Sequence, residues 1–385
     1  MKKGMWLLGL VFLIWCVSCL DAVAAENEEN QTEIQNQIQS KMMGEIDFTD
    51  INQNLKALFP EEKIQFQDIV ETLMQGDLEQ TGRAALAYVK DQIGYEFSAN
   101  KANLVHMLMI AIIAAVFTNF SSALQNKQVG EISFYVLYLL LITMSLNTFR
   151  IAISGIEEKL EHILEFMKVL CPGYFLSVAI AAGSSSSLMF YNFILLLIYL
   201  VEMVVFRFLI PVVNLYIMIQ VMNYLLEEDT LSEFAELVKK GVQWSLKTLT
   251  GIVIGINAVQ GLLAPAMDTL KRNVWTKSVA AIPGIGNAFG SVTDVMLGTA
   301  VLIKNGIGMA GAIVIVGICM IPMIQMVLLT FLYKLVAAMV QPISDSRITG
   351  CISSVSEGYE LLLQIIVTTM ILFLLTIAVV AAATS

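Results

Sequence analysis

Long runs of apolar residues alternate with short polar connectors over most of this chain, and the runs predict membrane-spanning helices. About twenty apolar residues span a bilayer as a helix. Spans are expected at about 102–120, 132–153, 188–226, 246–264, 310–340 and 359–383, with a weaker run ending near 183. The run 188–226 is too long for one span, and Pro211 is expected to divide or kink it. We therefore predict an all-α, polytopic membrane protein with about six to eight passes.

A different pattern follows the second span. Apolar residues recur there on one helical face, and the intervening positions are mostly charged, which is typical of a helix lying at the membrane surface. The apolar positions are Ile156, Leu160, Ile163, Met167 and Leu170. We interpret this helix as a surface connector, with a gating lever as the alternative. Cys171-Pro172-Gly173 is expected to break the chain, and Ser184–Ser187 to form a flexible turn.

The N-terminus has the three parts of a secretory signal peptide. Lys2 and Lys3 precede an apolar core, and a small-residue cleavage site lies at 22–24. Residues 1–25 are therefore predicted to be removed, with an uncleaved first span as the alternative. Lipidation of Cys19 is a further alternative, although Cys16 stands where a lipidation motif has an aliphatic residue.

Residues 26–100 form an acidic region. They contain fifteen Asp and Glu and five Lys and Arg, a net charge of −10 that equals the net charge of the whole chain. Short helical patterns within the region predict two or three helices with a core too small to be stable alone. Signal cleavage places this region outside the cytoplasm, and its charge favours protein partners over nucleic acid. Residues 101–385 are predicted to form the multi-span membrane domain.

Composition agrees with the membrane interpretation. Hydrophobic residues make up 57% of the chain and charged residues 14%, where a soluble domain carries about 25%. The cysteines and the two histidines show no metal-ligand spacing, so no metal site is predicted. No phosphate-binding loop is present, so any ATP hydrolysis that the function needs must come from another subunit.

Residues 280–311 are unusual for a membrane segment, because they contain seven of the chain's 24 glycines together with Asp294 and Lys304. Glycine lets helix backbones approach closely in lipid. A slowly drifting stripe of Gly286, Gly290, Asp294 and Gly298 recurs every four residues. We expect this stripe to pack against a partner helix, and the alternative is the wall of a conduit.

Three ionisable residues fall inside apolar runs and are candidates for a buried role: Glu202, Arg207 and Lys304. Such residues need a protein or water partner within the membrane. Glu202 and Arg207 are five residues apart, which is not ideal helix spacing, so each is expected to pair with another helix. Neutralisation within the bundle is the preferred interpretation, and a pore or relay lining is the alternative.

Residues 306–311, Gly-Ile-Gly-Met-Ala-Gly, match the residue pattern of the dinucleotide-binding motif but not its structural context. That motif requires a preceding strand and an acidic residue about twenty positions later. Here it leads into an apolar run, and no Asp or Glu occurs between Asp294 and Asp345. We therefore predict no cofactor and no enzymatic activity.

Two segments resemble the stage III sporulation protein AE family of endospore-forming bacteria. They are AIPGIGNAFGSVTDVMLGTAVLIKNGIGMAG and QPISDSRITGCISSVSEGYELLL, and the signal peptide and acidic region fit the same layout. The resemblance implies an integral membrane subunit of a secretion-like channel complex that links mother cell and forespore. It further implies a mother-cell membrane location and three kinds of partner: a cytoplasmic ATPase, ring-forming proteins and a forespore membrane protein. It transfers no catalytic residues.

The competing hypothesis is a stand-alone secondary transporter whose charged residues line a substrate path. Interrupted helices are typical of such proteins, but the chain shows no convincing internal repeat. An intramembrane hydrolase would need a nucleophile and base that the sequence does not offer.

Overall fold

A computed structural model describes residues 37, 39–44, 46–58, 65–75, 127–182, 184–225, 230–279 and 286–383, with scattered positions between 94 and 116. At 260–279, 286–295 and a few other helical positions, only the backbone is described. The signal peptide and the first predicted span lie wholly or mostly outside these residues. Every element in the described part is helical, in agreement with the predicted all-α class.

The helices are numbered here in chain order. They are α1 (Thr49–Leu58), α2 (Phe66–Gln75), α3 (Lys127–Ala182), α4 (Ser184–Val201), a π-helical segment (Glu202–Leu209), α5 (Ile210–Leu225), α6 (Ser232–Val279), α7 (Gly286–Val340) and α8 (Ser346–Ala383). Helix α3 is 56 residues long and α7 is 55, so each is about 80 Å in length. Both are much longer than the roughly 30 Å hydrocarbon core of a bilayer.

Helix α3 corrects two predictions. The second span and the surface helix are one continuous helix, and the predicted break at Cys171-Pro172-Gly173 is wrong because Pro172 lies inside it. Proline is tolerated there because neighbouring groups can satisfy the backbone carbonyl that its ring leaves free. The one-sided pattern itself is confirmed: the five apolar positions of the stripe are all buried, whereas Glu161 and Glu165 are exposed.

Helices α4 and α5 form one long run with the π-helical segment between them. The predicted flexible turn at Ser184–Ser187 is wrong, because α4 begins at Ser184. In the π-helical segment, the Ile210 N–H donates to the Val205 carbonyl, five residues earlier. Pro211 follows directly, and its ring nitrogen cannot donate to the carbonyl of residue 207. The irregularity expected at Pro211 is thus a π-helical segment on its N-terminal side.

Helices α1 and α2 pack against the long helices of the same chain. Phe66 is fully buried, and its ring centroid lies 6.4 Å from that of Phe166 on α3. Ile51 and Leu55 of α1 are also buried. This part of the acidic region therefore buries its apolar residues against α3 and α7, which supplies the support that its small size requires.

Helices α7 and α8 form a hairpin. Asp345 caps the N-terminus of α8: its Oδ1 accepts a hydrogen bond of 2.9 Å from the Arg347 N–H, as carboxylates do at helix N-termini. Among the described residues, four helices are long and apolar enough to cross a membrane: Tyr135–Ala181, Phe190–Leu225, Met296–Val340 and Ser346–Ala382. The chain is thus a multi-pass helical protein, and the count of six to eight passes stays a prediction.

Candidate functional site

Glu202 forms an ion pair between two long helices. Its Oε2 lies 3.3 Å from Nζ of Lys168 on α3, and both side chains are about half exposed. Arg207 lies exposed in the same π-helical segment, and within the described part of the chain no carboxylate lies within ion-pair distance of it. Glu202 thus contacts another helix, as its spacing from Arg207 suggested, whereas Arg207 faces outward.

Lys304 holds the end of α8. Its side chain is fully buried on α7, and Nζ donates to the Ala381 carbonyl oxygen at 3.2 Å. The last four carbonyls of a helix have no partner within the helix, and the C-terminal end carries partial negative charge. A buried ammonium at this position therefore stabilises the final turn of α8 and fixes it against α7.

Glu357 on α8 is a junction that the sequence prediction missed. Its Oε2 accepts a hydrogen bond from Tyr216 Oη of α5 and another from Lys239 Nζ of α6, each at 2.7 Å. Tyr216 is fully buried, and the Lys239 and Glu357 side chains are about one-third exposed. One carboxylate oxygen thus joins three helices. The available signal was that Glu357 lies only two residues before the apolar run predicted at 359–383.

The residues beside Glu357 make further contacts between helices. Ser356 Oγ donates to the Thr330 carbonyl at 2.9 Å, and Lys334 Nζ lies 3.2 Å from Glu360 Oε2. The ring centroid of the buried Tyr359 lies 5.1 Å from that of Tyr333 and 5.3 Å from that of Phe149 on α3. We call residues 356–360 the contact cluster, because they join α8 to α3, α5, α6 and α7.

Gly358 is required within the contact cluster. A Cβ atom at this position would meet Ile217, and it would lie only 2.8 Å from Phe149 Cε2. Any side chain here would therefore require Ile217 and Phe149, or the backbone of α8, to shift.

The C-terminal part of the glycine-rich segment is a packing surface. A Cβ on Gly306 would lie 3.2 Å from Val70 Cγ1 of α2, and one on Gly311 would lie 2.6 Å from Leu170 Cδ2 of α3. Between them, Gly308 lies against Tyr174. These three glycines are the ones that match the dinucleotide-binding motif in sequence. They lie in the interior of α7, without the loop and strand that the motif requires.

The predicted stripe of small residues lies at the start of α7. Gly286, Gly290 and Asp294 are on its helical backbone, and their side-chain environment lies outside the described residues. Gly298 is exposed, with open space where a Cβ would stand. Packing and conduit wall both stay predictions for this stripe.

Helix α6 has a similar exposed pair. Gly251 and Gly255, which have the small-xxx-small spacing, are exposed and have open space around them. On the opposite face, the buried Asn257 donates through Nδ2 to Thr376 Oγ1 of α8 at 3.3 Å. This polar contact joins α6 to α8.

Two cationic residues near the start of α6 differ in their surroundings. Lys240 lies on the exposed face, 2.7 Å from Glu236, and the hydrogen bond from Lys240 lowers the pKa of Glu236. Lys239, one position earlier, points to Glu357. Lys239 thus makes a contact between two helices, whereas Lys240 makes a contact within α6.

No group of three or more His, Cys, Asp or Glu side chains that could hold a metal ion occurs among the described residues. Cys171, Cys319 and Cys351 are buried free thiols and behave as small apolar groups. What the described polar side chains can do is hold helices together.

Comparison with known proteins supports the resemblance seen in the two quoted segments. The sequence profile of the family described as stage III sporulation protein AE matches residues 64–384. The chain is similar to the stage III sporulation protein AE of Bacillus subtilis (strain 168), with 24% identity over an alignment that covers 100% of this chain and 98% of the relative. No solved structure matches. The chain therefore belongs to the stage III sporulation protein AE family.

Proposed function

We propose that this protein is a non-enzymatic membrane subunit of a sporulation channel complex that links the mother cell with the engulfed forespore. Its family membership supports a role in sporulation. In this proposal, the chain sits in the mother-cell membrane around the forespore. Residues 26–100 face the space between the two membranes.

The observation that carries the non-enzymatic, structural role is the use of charged side chains inside the candidate spans. Lys168 pairs with Glu202, Lys304 bonds the end of α8, and Glu357 joins α5 and α6. A transporter keeps such groups available to a substrate or ion along its path. In this chain the charged side chains are bonded to groups on other helices, which favours a rigid bundle that serves as an assembly component.

The partners follow from the same proposal. The sequence offers no nucleotide-binding motif, so a cytoplasmic ATPase would supply energy. Ring-forming proteins and a forespore membrane protein would complete the conduit. The acidic region 26–100 is suited to protein contacts and would be repelled by nucleic acid.

Deletion of the gene in an endospore-forming bacterium tests the role. We expect engulfment to finish and forespore gene expression to stall afterwards, with recovery when the intact chain is supplied in the mother cell. Supply in the forespore alone is the control and should not restore expression. Normal spore formation in the deletion strain would contradict the proposal.

Purification separates the proposal from the transporter alternative. Affinity purification of the full-length chain from sporulating cells should recover an ATPase and ring-forming proteins. The purified chain alone in liposomes should move no solute. Solute transport without partners, together with the absence of co-purifying proteins, would favour the transporter.

A further inference from the structure

Helices α1 and α2 lie at the same end of the bundle as the end of α8. On α7, Gly306 lies against Val70 and Met74 of α2. Two residues earlier on α7, Lys304 bonds the carbonyl of Ala381 in the last turn of α8. Since neighbouring positions on one helix are about 1.5 Å apart along its axis, α2 and the end of α8 contact α7 at nearly the same height along the α7 axis.

Contacts between helices give the direction of each one. Helix α3 is antiparallel to the α4–α5 run, since Tyr138 bonds Val221 whereas Phe175 bonds Ser187. Helix α7 is antiparallel to α3, α8 is antiparallel to α7, and α6 is parallel to α8. The pairs Leu170–Gly311 and Tyr174–Gly308 give the direction of α7 relative to α3. Thr330–Ser356 and Lys304–Ala381 give that of α8 relative to α7. Lys239–Glu357 and Asn257–Thr376 give that of α6 relative to α8. Helices α3, α6 and α8 therefore point towards the end that carries α1 and α2.

We infer that the ends of α3 and α8 beside α1 and α2 face the extracytoplasmic side, and that the turn at 341–345 and the connector 226–231 face the cytoplasm. This orientation rests on the proposed extracytoplasmic location of residues 26–100. Helices α1 and α2 belong to that region, so the end of the bundle on which they pack must share their side of the membrane.

The path of the chain agrees with this orientation. Residues 26–100 start outside, and the span predicted at 102–120 brings the chain to the cytoplasmic side before α3 begins at Lys127. Helix α3 must then run outward. The contacts of α3 with α1 and α2 near its C-terminal end require that same direction.

The charge at the C-terminal end of α6 favours the opposite orientation. Lys271, Arg272 and Lys277 lie in the last turns of this outward-running helix, whereas basic residues near membrane spans are usually cytoplasmic. The packing of α2 and the charge of this segment thus predict opposite sides for the end of α8, and an accessibility experiment decides between them.

The experiment uses full-length variants that each carry one added cysteine, expressed in vegetative cells of an endospore-forming bacterium, where the extracytoplasmic side of the membrane is the cell surface. Protoplasts of these cells are treated with a membrane-impermeant maleimide. The sites are Asp50→Cys on α1, Ala382→Cys at the end of α8, and Gln341→Cys in the α7–α8 turn, all of them exposed. Because Cys171, Cys319 and Cys351 are buried, the unsubstituted chain gives the background. We expect labelling of Asp50→Cys and Ala382→Cys in intact protoplasts, and of Gln341→Cys only after permeabilisation.

The other outcomes distinguish the inference from the proposal on which it rests. Labelled Asp50→Cys with protected Ala382→Cys would overturn the orientation and leave the location of residues 26–100 intact. Protected Asp50→Cys would overturn that location and the orientation with it.

A disulfide experiment tests the packing step separately. Val70→Cys combined with Gly306→Cys should form an intramolecular disulfide under mild oxidation, because a Cβ on Gly306 lies 3.2 Å from Val70 Cγ1. Val70→Cys with Gly298→Cys is the control, since Gly298 has open space around it. Equal yields in the two pairs would overturn the placement of α2 at this end.

Discussion

At Gly306, Gly308 and Gly311, the missing side chain lets residues of α2 and α3 reach the backbone of α7. Helices in lipid gain little from the hydrophobic effect when they associate, so close van der Waals packing matters more than in water. The functional value of these glycines lies in the space that they leave to Val70, Tyr174 and Leu170. Their role is therefore sensitive to added volume.

Gly311→Leu is expected to lower the free energy of unfolding by about 1–3 kcal/mol, the range for overpacking a filled interior. The reason is that a Cβ at this position already lies 2.6 Å from Leu170. Thermal unfolding of the full-length chain in detergent measures the effect. Gly251→Leu is the matched control on an exposed helix face and should leave the midpoint almost unchanged. An equal effect of both substitutions would contradict the packing role.

Glu357 and Lys239 are expected to be coupled by about 1 kcal/mol, in the lower part of the range for interacting groups because both side chains are about one-third exposed. A double-mutant cycle with Glu357→Gln and Lys239→Met, read by thermal unfolding, measures this coupling. The more exposed Lys240–Glu236 pair serves as the control and should show a smaller coupling. Additive effects of the two substitutions would refute the proposed junction.

At the scale of elements, the π-helical segment sets the rotation of α4 relative to α5. A π-helical turn holds more residues than an α-helical turn, so it changes the direction in which the side chains before it point. Glu202 lies at the start of this segment and contacts Lys168 on α3. The irregularity and the ion pair are therefore linked.

Pro211→Ala is expected to weaken that contact. Alanine supplies the N–H that proline lacks, which favours regular α-helical bonding across the segment and turns residue 202 away from α3. The readout is the yield of the amide that a carbodiimide forms between Lys168 Nζ and the Glu202 carboxylate, which lie 3.3 Å apart. This crosslink should form readily with Pro211, and its yield should fall several-fold with alanine. Unchanged crosslinking would show that neighbouring helices, and not the proline, hold the π-helical turn.

At the scale of the whole molecule, the described helices form one bundle in which three ion pairs join different helices: Lys168–Glu202, Lys239–Glu357 and Lys334–Glu360. The exposed small residues are of a different kind, because Gly251, Gly255 and Gly298 have open space beside them in the described part of the chain. In a subunit of a larger complex, such positions are suited to contact with other subunits. The predicted stripe at the start of α7 has the same pattern in sequence, small residues that recur every four positions.

Gly290→Leu is expected to disrupt assembly of the complex more than membrane insertion, because leucine blocks close helix approach and does not reduce hydrophobicity. Insertion is measured by membrane fractionation, and assembly by co-purification with the partner subunits from sporulating cells. Gly241→Leu on the exposed face of α6 provides a comparison of equal volume. Intact co-purification of the Gly290→Leu chain would contradict the packing interpretation of the stripe.

The sequence alone determined the helical class, the membrane location and the family. Each depends on local composition and on order along the chain: apolar runs long enough to span lipid, a stripe with helical spacing at 156–170, and two specific segments. The sequence also predicted close packing for the glycine-rich segment, but it assigned this packing to the stripe at 286–298, whereas the close contacts that the structure describes are at Gly306, Gly308 and Gly311.

Only the tertiary structure decided which polar groups meet. Pro172 and Ser184–Ser187 were expected to interrupt helices, but the surrounding bundle holds them in helical conformation. Glu357 was overlooked, since its partners Tyr216 and Lys239 are more than a hundred residues away in the chain. Local pattern shows that a charge is buried in an apolar run, whereas the identity of its partner depends on how distant helices pack together.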